Sequence, residues 1–139
     1  MQPEELEQYT NSLVGRQLIS FEKKDWSWFF RFSGDISVAT EESWRLILEN
    51  RIFVTSEDHD QLFGLSEPVD AVSRVLSSIA DRTVSAAVVS ASTGDLTIEF
   101  SGQVKLQFLQ MSGGYESWRL SVQGTEIICM GGGKIVLFP

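Results

Sequence analysis

One cysteine and one histidine are all that 139 residues offer for redox, nucleophilic or nitrogen- and sulfur-ligated metal chemistry. A lone thiol, Cys129, cannot close an internal disulfide, and its neighbours Ile127, Ile128 and Met130 mark it as a small buried hydrophobe. His59 cannot build a His-rich metal centre alone, and its acidic surroundings place it in solvent. No serine stands in a nucleophile-elbow pattern. The turn Glu57-Asp58-His59-Asp60 lacks both the spacing and the glycine of a calcium loop. Met130-Gly131-Gly132-Gly133-Lys134 is no phosphate loop, because Ile135 stands where Ser or Thr would follow the lysine, and a strand pattern follows in place of a helix. No catalytic, cofactor-binding or metal-binding residue is therefore assigned.

Positive charge is scarce too. Eleven Lys and Arg face nineteen Asp and Glu, a net charge of −8. Nucleic acid and anionic membranes are polyanions and are disfavoured as partners, whereas a basic protein surface suits this balance. No apolar run approaches the ~18 residues of a membrane span. The opening Met1-Gln2-Pro3-Glu4-Glu5 is acidic and lacks the basic and apolar regions of a signal peptide, so the expected location is the cytoplasm.

What is present is repetition. Glu-Ser-Trp-Arg-Leu occurs at Glu42–Leu46 and again at Glu116–Leu120, and Phe-Ser-Gly precedes each copy, at Phe32–Gly34 and Phe100–Gly102. Two echoes in the same order point to an internal duplication. Aligning Phe32 with Phe100 and Trp44 with Trp118 leaves six extra residues in the second copy, around Gln110 to Tyr115. Length and composition suit one domain over residues 1–139, with units at about 14–65 and 82–139 joined by a helix at about 67–81.

The periodicities give the elements. Pro3 to Leu13 has a first-turn proline, early acidic residues and helical spacing of Leu6, Tyr9 and Leu13. Val69, Val72, Val75, Leu76 and Ile79 set a second helix over Val69–Asp81, with Ser66 as its N-cap and Pro68 in its first turn. Trp26, Trp28, Phe30 and Phe32 alternate as a strand, turned at Ser33-Gly34-Asp35 into Ile36–Val38. Gln17–Glu22, Trp44–Leu48 and Ile52–Thr55 complete the first unit. Val84–Ser90, Leu96–Phe100, Val104–Leu109, Trp118–Val122, Glu126–Met130 and Lys134–Phe138 form the second. The expected class is α+β, predominantly antiparallel β, with a helix over one sheet and the strands in two facing sheets or one partly closed barrel.

Residues shared by both copies read as architecture. Trp44 and Trp118 are core anchors, each with its ring N–H on a nearby carbonyl or rim water, and Phe32 and Phe100 join them. Arg45 and Arg119 alternate with the tryptophans and point away from them. Residues that differ read as surface. Trp26 aligns with Gly94 and Phe29 with Thr97, so the first hairpin carries aromatic area that the second copy folds without. Glu57, Asp58 and Asp60 are the candidate docking patch for a basic partner, and Trp26 and Phe29 are further candidate contacts.

Leu96-Thr97-Ile98-Glu99-Phe100 with its Gly turn, then Tyr115-Glu116-x-Trp118-x-Leu120, then Gly132-Gly133 before a last strand, resemble an uncharacterised bacterial family of short duplicated β-rich proteins. Val14-Gly15-Arg16 extends the resemblance into the first half, and Met130 departs from the proline common at that place in the family. The resemblance implies no catalytic residue. Relatives sometimes lie near polymorphic toxin systems, which implies an immunity protein neutralising a basic toxin domain. The other expectations are a self-associating homodimeric module, and an enzyme with a pocket between the two β units.

Overall fold

The computed structural model describes residues 1–139. Helix α1 (Pro3–Asn11) precedes strands β1 (Leu18–Lys24), β2 (Ser27–Phe32), β3 (Ile36–Thr40), β4 (Trp44–Leu48) and β5 (Arg51–Thr55). Helix α2 (Ala71–Ile79) then precedes β6 (Val84–Val89), β7 (Leu96–Phe100), β8 (Val104–Phe108), β9 (Trp118–Val122), β10 (Thr125–Cys129) and β11 (Ile135–Phe138). The class is α+β with antiparallel sheets, as the alternation required. In β2, Trp28, Phe30 and Phe32 turn inward while Phe29 and Arg31 face out.

The strands form two sheets, in the orders β1-β2-β3-β9-β10-β11 and β5-β4-β8-β7-β6. Each sheet thus takes strands from both halves, and the halves are interleaved rather than set side by side. The two seams have matching registers: Ile36 faces Val122 and Thr40 faces Trp118 in one, and Val104 faces Leu48 and Phe108 faces Trp44 in the other. The turn hydrogen bonds match as well, with Gln123 N–H donating to Asp35 C=O (2.9 Å) and Glu49 N–H to Gln103 C=O (3.2 Å). Phe32 and Phe100 stack on one another with centroids 6.4 Å apart, so this corresponding pair meets between the sheets. The connection between β8 and β9 is longer than that between β3 and β4, which is where the six extra residues lie.

A single cluster of 27 buried residues fills the space between the sheets. Trp44 and Trp118 are both fully buried there. Burying an indole contributes roughly 4–6 kcal/mol as an upper bound from its area. Trp44 meets Phe21, Trp28 and Phe30 edge-on at 5.1–5.6 Å. Trp118 instead donates its ring N–H to Gly94 C=O at 2.8 Å. The ring N–H of Trp44 has no acceptor, so the expectation of a carbonyl or rim water for each indole holds only for Trp118. The aromatic cluster leaves no carbonyl within its reach.

Each half opens on a helix that packs across onto the other. α1 lies against β6, and α2 against β1 and β5. After each helix an arginine folds back: Arg16 Nε donates to Ser12 C=O (3.3 Å) and Arg82 Nε to Ser78 C=O (2.9 Å). Each guanidinium then lies over a turn glycine, Gly34 or Gly102, where any side chain would strike it. That contact, and a positive φ at both, explains the glycine in the repeated Phe-Ser-Gly.

Two local expectations are corrected. The N-cap of α2 is Asp70, not Ser66, and Pro68 lies outside the helix. Asp70 accepts the Ser73 N–H at 3.1 Å, and an ionised carboxylate accepts more strongly than a hydroxyl. Trp26 is not in the β2 strand but in the tight turn before it, where Asp25 takes a positive φ of 55°.

Candidate functional site

The β1–β2 turn sets Trp26 at one end of the sandwich, where it is 83% exposed. A turn side chain has no neighbouring strand to lie on, so the indole stands in solvent. Three contacts draw acidic residues to this end. Ser27 Oγ donates to Glu41 Oε1 at 3.2 Å. Ser43 Oγ donates to Glu57 Oε1 at 3.4 Å. The His59 ring meets Trp28 edge-on at 5.4 Å, which places the Glu57–Asp60 turn against the aromatic hairpin. Two cations lie nearby: Lys23 is engaged with the Trp28 ring and the Asp25 carbonyl, and Lys24, opposite Ser27, is exposed.

Within the acidic turn the carboxylates are not equivalent. Asp58 Oδ2 accepts the Thr55 N–H at 3.0 Å and closes a capping box around the short 3-10 turn Ser56–Asp58, so this residue holds the backbone. Glu57 and Asp60 are exposed, with Asp60 Oδ2 3.7 Å from His59 Nε2. His59 is not in solvent as expected: its side chain is 19% exposed and its Nδ1 accepts the Ala71 N–H at 3.1 Å. An unpaired amide in the first turn of α2 needs an acceptor, and a neutral imidazole nitrogen supplies it.

Phe29 is 40% exposed, on the outer face of β2 away from Trp28. It borders a small recess with Glu41, Glu116 and Arg119. Arg119 donates to Glu116 Oε1 at 2.7 Å, and this bond raises the already high pKa of the guanidinium. Glu41 escaped the sequence reading, although extending the β2–β3 register from Trp28 opposite Thr40 places it beside Ser27.

Cys129 is fully buried, and burial pushes its thiol up to about 11. No group of three or more His, Cys, Asp or Glu side chains is arranged to hold a metal ion. No helix is long and apolar enough to cross a membrane.

No curated protein and no solved structure matches the chain in the comparisons. Residues 29–138 match the model of a protein family described as "Family of unknown function (DUF6188)". The match takes in every strand from β3 to β11, both seams and α2. With most of its length covered, the chain belongs to the DUF6188 family of unknown function.

Proposed function

We propose that this protein is a non-enzymatic protein-binding module of the cytoplasm whose docking face is the β1–β2 hairpin end. The observation that carries the reading is Trp26, 83% exposed at the β1–β2 turn, with Glu41 bonded to the adjacent Ser27 and the Glu57–Asp60 turn reaching the same hairpin through His59 and Trp28. A large rigid aromatic with a charged rim is the usual composition of an interface hot spot. Acidic rims and a net charge of −8 select a basic partner and speed its arrival. The apolar filling between the sheets leaves the interior to packing, in keeping with a binding role. Together with the resemblance to proteins encoded near toxin loci, these features suit an immunity protein that masks a basic toxin domain. The matching seams are what an internal duplication would produce, with Trp26 and the acidic turn as additions to one copy.

The test starts with affinity capture from the native cell, using the full chain and a Trp26→Ala control. With the captured partner, Glu41→Lys, Glu57→Lys and Asp60→Lys combined should slow association at least about tenfold and flatten its salt dependence. Unchanged association, or capture indifferent to Trp26, overturns the reading. A homodimeric module is the second reading, favoured by β5: its outer edge is unpaired and bears exposed Ile52 and Phe53, whereas the corresponding β10 is covered by β11. Sedimentation at micromolar concentration separates the two.

A further inference from the structure

A groove of about 570 Å³ lies between α1 and the segment entering β11, with β6 as its floor. Its origin is a break in the matching of the two halves. In the first half α2 lies on β1 and β5 and fills its site with Val75 and Ile79, both buried. In the second half β11 occupies the flank beside β10, and α1 meets chiefly β6, with Thr10 buried and Leu6 and Tyr9 packed partly buried against the core. Space stays open between the helix, β6 and the segment entering β11.

The groove's floor is an unfinished sheet edge. β6 is the last strand of its sheet and pairs only with β7. Ser90 N–H donates to Asp95 C=O at 2.9 Å, toward β7. Strand parity then turns the main chains of Val88 and Ala86 the same way and sends those of Ala87 and Val89 outward. At Val84, on the same outer side, the chain completes its own rung: Val84 N–H donates to Arg16 C=O and Gly15 N–H donates to Val84 C=O, both at 2.8 Å. Beyond that rung Ala87, buried, and Val89, half-buried, line the groove without a partner strand.

We propose that this groove binds an extended peptide segment of a partner protein, added as a further strand on β6. Main-chain pairing to Ala87 and Val89 supplies the affinity, and apolar side chains at alternate positions of the peptide fill the space against Leu6 and Val14. The volume lies within the range of ligand sites. Lys134 on the opposite wall is exposed and makes no ion pair, so it suits a carboxylate on the peptide. A fatty acyl chain fits the apolar walls but not the floor, since it would cover the Ala87 and Val89 N–H and C=O groups and leave them unpaired. This site shares no residue with the Trp26 face and stands independently of it.

The experiment pans a phage-displayed library of random linear peptides on the full chain and titrates the enriched peptide, as a synthetic molecule, into the isotope-labelled protein. The expected result is protection of the Ala87 and Val89 amides from hydrogen exchange. Val89→Pro removes an outward N–H without touching the β7 ladder, a place where an edge strand tolerates proline. It should weaken binding by about tenfold or more. N-methylation of alternate peptide amides tests the same bonds from the ligand's side and needs no protein variant, so the outcome does not hang on Val89→Pro folding. Failure to enrich any peptide, protection elsewhere, or affinity indifferent to N-methylation overturns the proposal. So does dodecanoate binding in the groove where no peptide binds.

Discussion

Trp44 and Trp118 occupy corresponding places on two seams of the same register, yet only Trp118 has a partner for its ring N–H. The difference traces to their neighbours. Trp44 faces Phe21, Trp28 and Phe30, whereas Trp118 reaches the carbonyl of Gly94.

Phenylalanine at each position should therefore separate two effects. Both substitutions lose volume, and Trp118→Phe also loses a buried hydrogen bond, while Trp44→Phe removes a donor that has none. In urea unfolding Trp118→Phe should be the more costly by about 1–2 kcal/mol. Equal losses would show that the bond to Gly94 contributes nothing net.

The buried thiol makes stability fall at high pH. The Cys129 pKa is raised from 9.0 to about 11 by burial, so the folded state holds its proton more tightly than the unfolded chain. The contribution is complete below about pH 9 and is lost as pH rises toward about 11. Urea midpoints across that interval should decline less for Cys129→Ala than for the parent. Iodoacetamide at pH 8 should modify the thiol only as fast as the protein opens.

The start of α2 is held by two side chains, Asp70 and His59. Asp70→Ala and His59→Ala should each destabilise by about 1 kcal/mol, read from urea midpoints. The Ser73 N–H and hydroxyl lower the Asp70 pKa below its ordinary 3.8. Its capping contribution is thus present above about pH 4 and is lost as pH falls through the depressed value. The acid limb of the stability profile should be shallower in Asp70→Ala.

Much of the fold was legible in the sequence, because local alternation is a direct record of which face is buried. Trp28, Phe30 and Phe32 alternate in the chain and are buried in the protein. Neither the seams nor the open groove could be read that way. The pairing of β3 with β9 joins residues remote in sequence, and alternation says which face is inward but not which strand lies alongside. The tip of the first hairpin was misplaced because the chain turns through a positive φ at Asp25, a residue type that tolerates but does not demand it. Of the candidate contacts, Trp26 is exposed at the β1–β2 turn, Glu57 and Asp60 are exposed in the turn whose His59 meets Trp28, Phe29 faces outward from the sheet, and Asp58 is spent on its own turn. Local spacing gave no sign of Asp58's inward role beyond Thr55 lying three residues before it.

The interleaving of strands has a consequence for biosynthesis. A nascent chain that has reached β5 holds β1 to β3 without β9, and β4 without β8. Neither sheet can close until β8 and β9 have left the ribosome, so folding is held back until most of the message has been translated. Until β7 and β8 emerge, the rings of Phe32 and Phe30 lack their partners Phe100 and Phe108, and the emerging polypeptide passes through its most adhesive stage with the aromatic half leading.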